Sequence, residues 1–274
     1  MKKIKWSKKE DNYLRKVYGT QNSQKISKTL KRTQYAILHR CSKLGLKGYN
    51  SGYFKRCELN DNVFAIINNK SCYFAGLMGS DGCIQNDKMA SFTQCQRNII
   101  YINKLKNYIE YSGKLLGPYN KIYPSFTLSF TSPKIVNDLK DNFNITTKKS
   151  LTLKSPSKLK KLENKLSYIL GYIDGDGCVG AYKYDHLQNL YIKIHICGTK
   201  NLLEWIKSTI DKSLNIVTGN VTLIKNHTYQ YQLTGTKAEK FIILCRSLNI
   251  IKDYSKINNV KVRSNNKWFK SRSK

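Results

Sequence analysis

One stretch of the sequence decides the fold: Tyr168-Ile169-Leu170-Gly171-Tyr172-Ile173-Asp174-Gly175-Asp176-Gly177-Cys178, together with its earlier copy, Tyr73-Phe74-Ala75-Gly76-Leu77-Met78-Gly79-Ser80-Asp81-Gly82-Cys83. Both copies run from an aromatic residue through apolar residues around a glycine to Asp-Gly-Cys. Asp81 and Asp176 fall at the same place in the two copies. Because an internal repeat decides the whole architecture, the match predicts a two-fold pseudo-repeat with one carboxylate at the end of each matched helix.

The segments that follow each copy match as well. In the first repeat, the patterns predict a buried helix at 71–80, a short alternating strand, a strand at 90–96, a helix at 99–111, a hairpin formed by 114–123 and 125–131, and a last helix at about 133–142. In the second repeat they predict a strand at 191–197 and a helix at 201–214. Each repeat is therefore predicted to be helix–strand–strand–helix–strand–strand–helix, an α+β fold.

Residues 169–177 resemble the LAGLIDADG motif of homing endonucleases, and residues 74–82 resemble a second, more diverged copy. The resemblance covers roughly residues 60–255, and it implies a pseudo-two-fold pair of αββαββα repeats with saddle-shaped antiparallel sheets. In that family the eighth motif residue is the catalytic acid, which corresponds here to Asp81 and Asp176. The sixth position is often acidic too; it is Asp174 in the second copy but Gly79 in the first.

Asp81 and Asp176 are also the candidate metal ligands, and the backbone at position 80 has no assigned role. Two neighbouring carboxylates repel each other unless cations neutralise them, and hard oxygen ligands beside phosphate suit Mg²⁺, with Mn²⁺ as an alternative. Such metals would activate water and stabilise the leaving oxygen of phosphodiester hydrolysis. The simpler interpretation of each Asp-Gly is a turn at a helix end. Two copies at matched positions favour a metal site.

The resemblance implies one carboxylate for each strand that is cut, short 3′ overhangs, and three further catalytic residues. Gln96 corresponds to a residue that positions water near the metal, and it is matched with Gly198 in the second repeat. A basic residue after the third helix polarises phosphate in related enzymes; Lys148 or Lys149 fills this position in the first repeat and Lys252 in the second. The alternative for each lysine is a solvated phosphate contact.

Base reading is assigned to exposed alternate positions of the two sheets, which lie along the major groove in this family. The candidate residues are Gln85, Asn86, Lys88, Gln94, Lys183, Tyr184, Lys193 and His195. His195 is equally well interpreted as a surface histidine whose hydrogen bonds are satisfied. Because the two repeats are unequal, the target is predicted to be asymmetric.

Residues 1–47 are predicted to form a small N-terminal three-helix domain. Ser7 caps a first helix, a second runs over 23–30, and Thr33 caps a third that ends at Gly45. The pattern resembles Myb/SANT-like helix-turn-helix domains, in which the third helix enters the major groove. The candidate contacts on that helix are Gln34, His39, Arg40 and Lys43. A protein-binding three-helix unit is the alternative, and the excess of basic residues favours DNA.

The remaining boundaries follow from composition. Residues 48–60 are predicted to be a linker, 61–151 the first repeat, 152–166 an inter-repeat linker, 167–255 the second repeat and 256–274 a basic tail. The tail is interpreted either as a phosphate-binding arm or as disordered.

The charge of the chain points to its partner. The 49 Lys+Arg against 17 Asp+Glu give a net charge of +32, which indicates a polyanion such as nucleic acid or an anionic membrane surface. The sequence contains no apolar run long enough to span a membrane and no secretory signal at its start, so nucleic acid is favoured over a membrane. The 8 cysteines form no CxxC pair, which indicates free thiols in a reducing intracellular compartment: phage-infected or bacterial cytoplasm, or an organelle.

These observations favour a monomeric, site-specific double-strand DNA endonuclease that uses Mg²⁺ or Mn²⁺ and binds a long asymmetric target. The alternative is a non-cleaving nucleic-acid-binding protein on the same fold, either an intron maturase or a DNA-binding regulator. Retention of both Asp81 and Asp176 favours cleavage, because a protein that only binds does not need them.

Overall fold

The computed structural model describes residues 6–18, 21, 23–46, 57–182, 191–249 and 256–259. The chain forms two compact units, Met1–Glu58 and Leu59–Lys274. Lys183, Tyr184 and Lys252, most of the 48–60 linker, and residues 260–274 of the basic tail lie outside the described residues. Within the described part of the chain, no helix has both the length and the apolar character needed to cross a membrane.

The first unit contains three short helices, α1 (Lys8–Val17), α2 (Ser23–Leu30) and α3 (Gln34–Lys43). Ser7 begins α1 through a capping box with Glu10, and Thr33 caps α3. The helices enclose a small core of their own, formed by Leu14, Val17, Ile26, Ile37 and Cys41. The three predicted helices are confirmed, and the likeness to Myb/SANT-like domains stays a prediction.

Two ion pairs tie these helices together. Glu10 Oε1 accepts from Arg32 Nε at 2.7 Å, and Asp11 Oδ2 accepts from Arg40 Nη2 at 2.6 Å. The Arg32 guanidinium also lies 4.1 Å from the centre of the Trp6 ring. The hydrogen bond from Arg32 lowers the pKa of Glu10 to about 2, and that from Arg40 lowers the pKa of Asp11. Both acids are therefore neutralised by arginines of the same unit.

The second unit contains the same order of elements twice. The first copy consists of α4 (Asn69–Ser80), β1 (Gly82–Ile84), β2 (Met89–Cys95), α5 (Ile99–Tyr108), β3 (Leu116–Tyr119), β4 (Ser125–Thr131) and α6 (Pro133–Phe143), and it is followed by the short helix α7 (Lys149–Thr152). The second copy consists of α8 (Leu162–Asp176), β5 (Gly177–Tyr182), β6 (Tyr191–Gly198), α9 (Lys200–Leu214), β7 (Thr222–Lys225), β8 (Thr228–Thr234) and α10 (Thr236–Ser247). A 3₁₀ turn, Lys256–Asn259, lies beyond α10. The predicted α+β fold with two αββαββα repeats is confirmed.

Each copy forms an antiparallel four-stranded sheet, with strand order β1-β2-β4-β3 in the first and β5-β6-β8-β7 in the second. The register makes the two sheets equivalent residue by residue. Gly82 pairs with Phe92 in the first sheet, and Gly177 pairs with Ile196 in the second. Since the two glycines hold the same place in the motif, Phe92 and Ile196 are equivalent positions.

The two motif helices, α4 and α8, contact each other backbone to backbone. Residues 71–80 of α4 are buried throughout. A Cβ placed on Gly76 would overlap the carbonyl oxygen of Tyr168, and a Cβ placed on Gly171 would overlap the carbonyl oxygen of Tyr73. Gly76 and Gly171 are equivalent in the motif, as are Tyr73 and Tyr168. The contact is therefore reciprocal, as a pseudo-two-fold axis between the helices requires.

Aromatic side chains continue the core on both sides of this helix pair. The rings of Phe74 in α4 and Tyr108 in α5 stack with their centres 4.2 Å apart. Phe143, at the end of α6, stacks on Tyr168 of α8 with ring centres 6.4 Å apart. Because Phe143 belongs to the first repeat and Tyr168 to the second, the two repeats share one continuous core.

Two element boundaries differ from the sequence prediction. Helix α8 begins at Leu162, so the end of the 152–166 segment is helical. Strand β2 ends at Cys95, and Gln96 begins a 3₁₀ turn, Gln96–Asn98, instead of ending the strand. Because of the second difference, Gln96 does not lie in the strand, and Gln94 is the last buried polar side chain of β2.

The helix contact predicts an inverted response to alanine. In an ordinary helix, Gly→Ala is stabilising by about 0.5–1 kcal/mol. At Gly76 or Gly171 the new methyl group meets a backbone carbonyl of the other helix. We therefore expect Gly76→Ala and Gly171→Ala each to lower the free energy of unfolding by about 2 kcal/mol or more, measured by urea denaturation. The exposed Lys212→Ala on α9 serves as the control and should be nearly neutral. A stabilising effect of either glycine substitution would contradict the close approach.

Candidate active site

The two motif carboxylates meet at one end of the helix pair. Asp81 is the C-cap of α4, and Asp176 is the last residue of α8. A Cβ placed on Gly175 would overlap both the Ser80 hydroxyl and a carboxylate oxygen of Asp81. The missing side chain at Gly175 therefore lets the Asp81 carboxylate lie against the end of the other motif helix, where Asp176 is located.

Burial and charge act together on this pair. Burial, followed by the charge of Asp176, raises the pKa of Asp81 to about 6. Burial also raises the pKa of Asp176, although part of its side chain reaches solvent. The charges of Lys149 and Lys256 act in the opposite direction and lower the pKa of both acids. The site thus holds two carboxylates that are costly to ionise, partly compensated by two lysines.

Gln94 is the polar neighbour of Asp81. This side chain is only 7% exposed and lies on the inner face of β2. Its Oε1 accepts from Asn98 Nδ2 at 3.3 Å, which leaves the Gln94 amide group to donate to the Asp81 carboxylate. That hydrogen bond lowers the pKa of Asp81. The prediction that Gln94 is an exposed base-reading residue is therefore wrong about its location.

A tyrosine takes this place in the second repeat. Gly198 is equivalent to Gln94, since it lies two residues beyond Ile196 as Gln94 lies two beyond Phe92. A side chain at Gly198 would collide with the hydroxyl group of Tyr172. That hydroxyl donates to the Cys197 carbonyl oxygen at 3.1 Å, and its polar interaction with Asp176 lowers the pKa of that acid. The two acids are therefore supported by different groups, an amide and a phenol.

The same equivalence corrects the role of Gln96 that the sequence predicts. The sequence match pairs Gly198 with Gln96, but the register pairs Gly198 with Gln94. Gln96 is exposed in the 3₁₀ turn that follows β2. Within the described residues, the glutamine that hydrogen bonds to Asp81 is Gln94. The alternating pattern alone could not distinguish the two residues, because Gln94 and Gln96 would lie on the same face of a strand that continued through residue 96, as predicted.

A buried lysine lies at the end of α4. Lys149 is 7% exposed, and its Nζ donates to the carbonyl oxygens of Gly79, at 2.8 Å, and of Ser80. The free carbonyls at a helix C-terminus favour a cation, as do the two nearby acids. Burial nevertheless lowers the pKa of Lys149. Its neighbour Lys148 is exposed, so of the two lysines that the sequence offers, Lys149 is the one in the site.

A second lysine lies at the end of α8. Lys256 Nζ donates to the carbonyl oxygens of Gly177, at 2.9 Å, and Gly175, at 3.4 Å. Lys149 and Lys256 therefore occupy corresponding places on the two motif helices. The sequence assigns this place to Lys252, which lies outside the described residues. No sequence signal separates Lys256 from its neighbours, because it acts from a turn beyond the last repeat helix.

The residues present fit a divalent cation that takes part of its coordination from water and substrate. No group of three or more His, Cys, Asp and Glu side chains suited to a metal occurs among the described residues. The two carboxylates of Asp81 and Asp176 remain as protein ligands, and Mg²⁺ is commonly bound through one or two carboxylates with substrate phosphates. The raised pKa of Asp81 is consistent with this fit, because a bound cation would offset both the cost of burying its charge and the repulsion from Asp176.

The outer faces of the two sheets differ in chemistry. On β1, β2 and β4 the first carries short, uncharged side chains, Cys83, Thr93, Cys95, Ser125, Thr127 and Ser129, and on β3 the exposed Leu116 and Tyr119. The second carries longer polar side chains, Lys193, His195, Gln230 and Gln232, beside Cys178 and Cys197. His195 Nε2 lies 2.9 Å from Gln230 Oε1, and Gln232 Nε2 donates to the same oxygen at 3.1 Å.

The other candidates for base contact occupy exposed positions of two kinds. Gln85, Asn86 and Lys88 lie on the turn between β1 and β2, where Asn86 Oδ1 accepts from the backbone amides of Lys88 and Met89. In the first unit, Gln34, His39 and Lys43 are exposed on α3. Arg40 is instead held by Asp11. The roles of all these residues in binding stay predictions.

Comparisons with known proteins place this geometry beside one group of structures. No family model and no curated protein sequence matches the chain. Among solved structures, it is similar to the meganuclease I-SmaMI bound to uncleaveable DNA (TM-score 0.48, 11% identity, covering 67% of this chain and 84% of that chain). It is also similar to the I-LtrWI LAGLIDADG homing endonuclease bound to target DNA (TM-score 0.45, 13% identity, covering 69% of this chain and 84% of that chain). Likenesses with such scores and identities carry no argument about function.

The raised pKa of Asp81 predicts how the free energy of unfolding of this protein depends on pH when a chelator has removed divalent metal ions. The folded-state pKa, about 6, lies above the ordinary 3.8, so ionised Asp81 destabilises the fold above about pH 6 and not below about pH 4. We expect Asp81→Asn to raise the free energy of unfolding by about 1–3 kcal/mol at pH 8, with the difference disappearing as the pH falls to about 4. Urea denaturation in EDTA measures this difference. The control Asp138→Asn, which removes the ion pair between Lys134 and Asp138 within α6, should be neutral or slightly destabilising. A pH-independent difference for Asp81→Asn would contradict the assignment.

Proposed function

We propose that this protein is a site-specific double-strand DNA endonuclease that hydrolyses phosphodiesters with a divalent metal between the ends of α4 and α8. The proposal rests on one observation: Asp81 and Asp176 are held together at matched helix ends, with Lys149 and Lys256 at corresponding places beside them. Holding two ionised carboxylates close together in a partly buried place destabilises the folded protein, as the raised pKa of Asp81 indicates. A catalytic role explains why the chain keeps both.

Charge and symmetry together favour duplex DNA as the substrate. A net charge of +32 supplies the sequence-independent attraction to phosphates. The two strands of a duplex are antiparallel and present a scissile phosphate each, related by a local two-fold axis. A pseudo-two-fold pair of repeats with one acid each, Asp81 and Asp176, suits one cut in each strand. We infer that both cuts occur in one monomer and leave short 3′ overhangs.

The roles of the residues follow from their contacts. Mg²⁺ or Mn²⁺, when bound, supplies an activated water and charge for the leaving oxygen. Asp81 and Asp176 would hold the metal. Gln94 fixes the orientation of the Asp81 carboxylate, and Tyr172 does so for Asp176. We assign to Lys149 and Lys256 the stabilisation of negative charge that develops on the phosphates, since their ammonium groups lie at the same helix ends.

Target recognition is assigned to the outer faces of the two sheets. The first face offers small hydroxyl and thiol side chains beside the apolar Leu116 and Tyr119, which suit close approach and contact with thymine methyl groups, whereas the second offers His195, Gln230 and Gln232 for hydrogen bonds to base edges. These chemically unequal faces support an asymmetric target. In the first unit, α3 exposes Tyr35 (79%) and Leu38 (48%) beside Gln34, and we propose that this helix adds further DNA contacts.

One experiment tests the function directly. The protein is mixed with a randomised or host-derived DNA pool and Mg²⁺, and new DNA ends are sequenced beside those from Asp81→Asn/Asp176→Asn. We expect discrete ends with short 3′ overhangs from the wild type and none from the variant, since Asn lacks the charge to hold the metal. Salt-sensitive binding without cleavage by either protein would replace the proposal with a non-cleaving nucleic-acid-binding protein. Equal cleavage by both would mean that the active site lies elsewhere.

The assignment of Gln94 over Gln96 gives a matched pair of variants. Gln94→Ala removes the hydrogen bond to Asp81, so it should slow cleavage by about tenfold to a hundredfold with divalent metal present. Gln96→Ala changes an exposed side chain and should leave the rate within about threefold of the wild type. Single-turnover rates on the selected target measure both. The reverse order of effects would restore Gln96 as the residue beside the metal.

A further inference from the structure

Asp174, the sixth residue of the second motif, accepts hydrogen bonds from two described residues, Tyr73 and Lys256. Its side chain has no exposed surface. Its Oδ2 accepts from the Tyr73 hydroxyl of α4 at 2.6 Å, and its Oδ1 accepts from the backbone amide of Lys256 at 2.7 Å. A buried carboxylate is costly unless such donors compensate it. Asp174 therefore ties the turn beyond α10 to the core of the helix pair.

The first repeat lacks this arrangement. Gly79 is the equivalent of Asp174, and Tyr168 is the equivalent of Tyr73. The Tyr168 hydroxyl points toward Gly79, where an added Cβ would lie 2.8 Å from it, and it has no hydrogen-bond partner among the described residues. Within the described part of the chain, Lys149 has no equivalent carboxylate anchor; its side chain is buried, and its Nζ donates to the carbonyl oxygens of Gly79 and Ser80. The pair Tyr73–Asp174 is thus a departure from the pseudo-symmetry that serves one side alone.

We infer that Asp174 is a positioning residue for Lys256 and that its loss affects the Asp176 half-site more than the Asp81 half-site. The inference rests on the proposed endonuclease function, in which Lys256 stabilises the phosphate. Lys256 belongs to a four-residue 3₁₀ turn, Lys256–Asn259, and a turn this short does not fix a long side chain by itself. Asp174 accepts from its backbone amide, so the base of the side chain is fixed where Nζ meets the carbonyls of Gly175 and Gly177.

The consequence is an asymmetry between the two DNA strands. Loss of the Asp174 carboxylate frees the base of Lys256 but leaves Lys149 in its buried place, because Lys149 Nζ donates to the carbonyl oxygens of Gly79 and Ser80. The strand that is cut at the Asp176 half-site should therefore be affected and the other spared. A residue that merely supports the core would slow both cuts together, because the repeats share that core.

The test uses the full chain and variants at Asp174, Tyr73, Tyr168 and Lys256. Asp174→Leu removes both acceptors, whereas Asp174→Asn keeps an oxygen for the Lys256 amide and serves as the conservative rescue. Tyr73→Phe removes one donor, and Tyr168→Phe, its matched control, removes a hydroxyl that has no hydrogen-bond partner among the described residues. The first readout is hydrogen exchange of residues 256–259, which requires no activity. The second is the rate at which each strand of the target is nicked with Mg²⁺.

We expect Asp174→Leu to lose hydrogen-exchange protection at residues 256–259. The nicking rate of the strand cut at the Asp176 half-site should fall by about tenfold to a hundredfold, and that of the other strand should stay within about threefold of the wild-type rate. Asp174→Asn and Tyr168→Phe should resemble the wild type, and Tyr73→Phe should fall between. Adding Lys256→Met to Asp174→Leu should slow the affected strand no further than Lys256→Met does alone.

Several results would overturn the inference, and they are separable from failure of the proposed function. Equal slowing of both strands, or unchanged protection at 256–259 in Asp174→Leu, would show that Asp174 does not position Lys256. If the wild type cuts no DNA, the endonuclease proposal fails, and the exchange data still decide whether Asp174 holds the turn. If Asp174→Leu does not fold, the comparison of Tyr73→Phe with Tyr168→Phe decides the question. Equal hydrogen-exchange protection at residues 256–259 and equal ratios of the two nicking rates in these variants would show that Asp174 does not position Lys256.

Discussion

The backbone contact between α4 and α8 is the interaction on which the second unit depends. Helices approach this closely only where side chains are missing, and Gly76 and Gly171 provide that room reciprocally. The contact joins the two repeats into one core and places both helix C-termini, with Asp81 and Asp176, at the same point. A site with one acid from each repeat is therefore a consequence of how the helices pack.

Around this symmetric pair, the supporting groups are asymmetric. Gln94 hydrogen bonds to one acid and Tyr172 makes a polar interaction with the other, because Gly198 leaves the space that a glutamine side chain would fill. One lysine, Lys149, is held by burial and by two carbonyl oxygens of α4, and the other, Lys256, comes from a turn that Asp174 anchors. Two unequal half-sites follow from a fold that is nearly equal in backbone.

Electrostatics adds a constraint that the high net charge does not remove. Most of the described lysines and arginines are exposed to solvent, so their charges are screened and do little for the two carboxylates at the end of the helix pair. The pKa of Asp81 is raised to about 6 despite the net charge of +32, because burial and the neighbouring Asp176 act at short range. The two lysines at the helix ends compensate only in part. Local geometry, not overall charge, determines the state of the site.

The sequence by itself determined the repeat, the order of elements in both copies and the positions of Asp81 and Asp176, because each of these leaves a periodic or duplicated pattern. It did not determine which polar residues reach the acids. Gln94 and Gln96 differ only in where β2 ends, and Lys256 lies in a turn without a pattern. Those contacts are set by strand register and by packing between segments that are distant in the chain. Tertiary structure alone decided them, because a local pattern carries no information about which distant segment will be its neighbour.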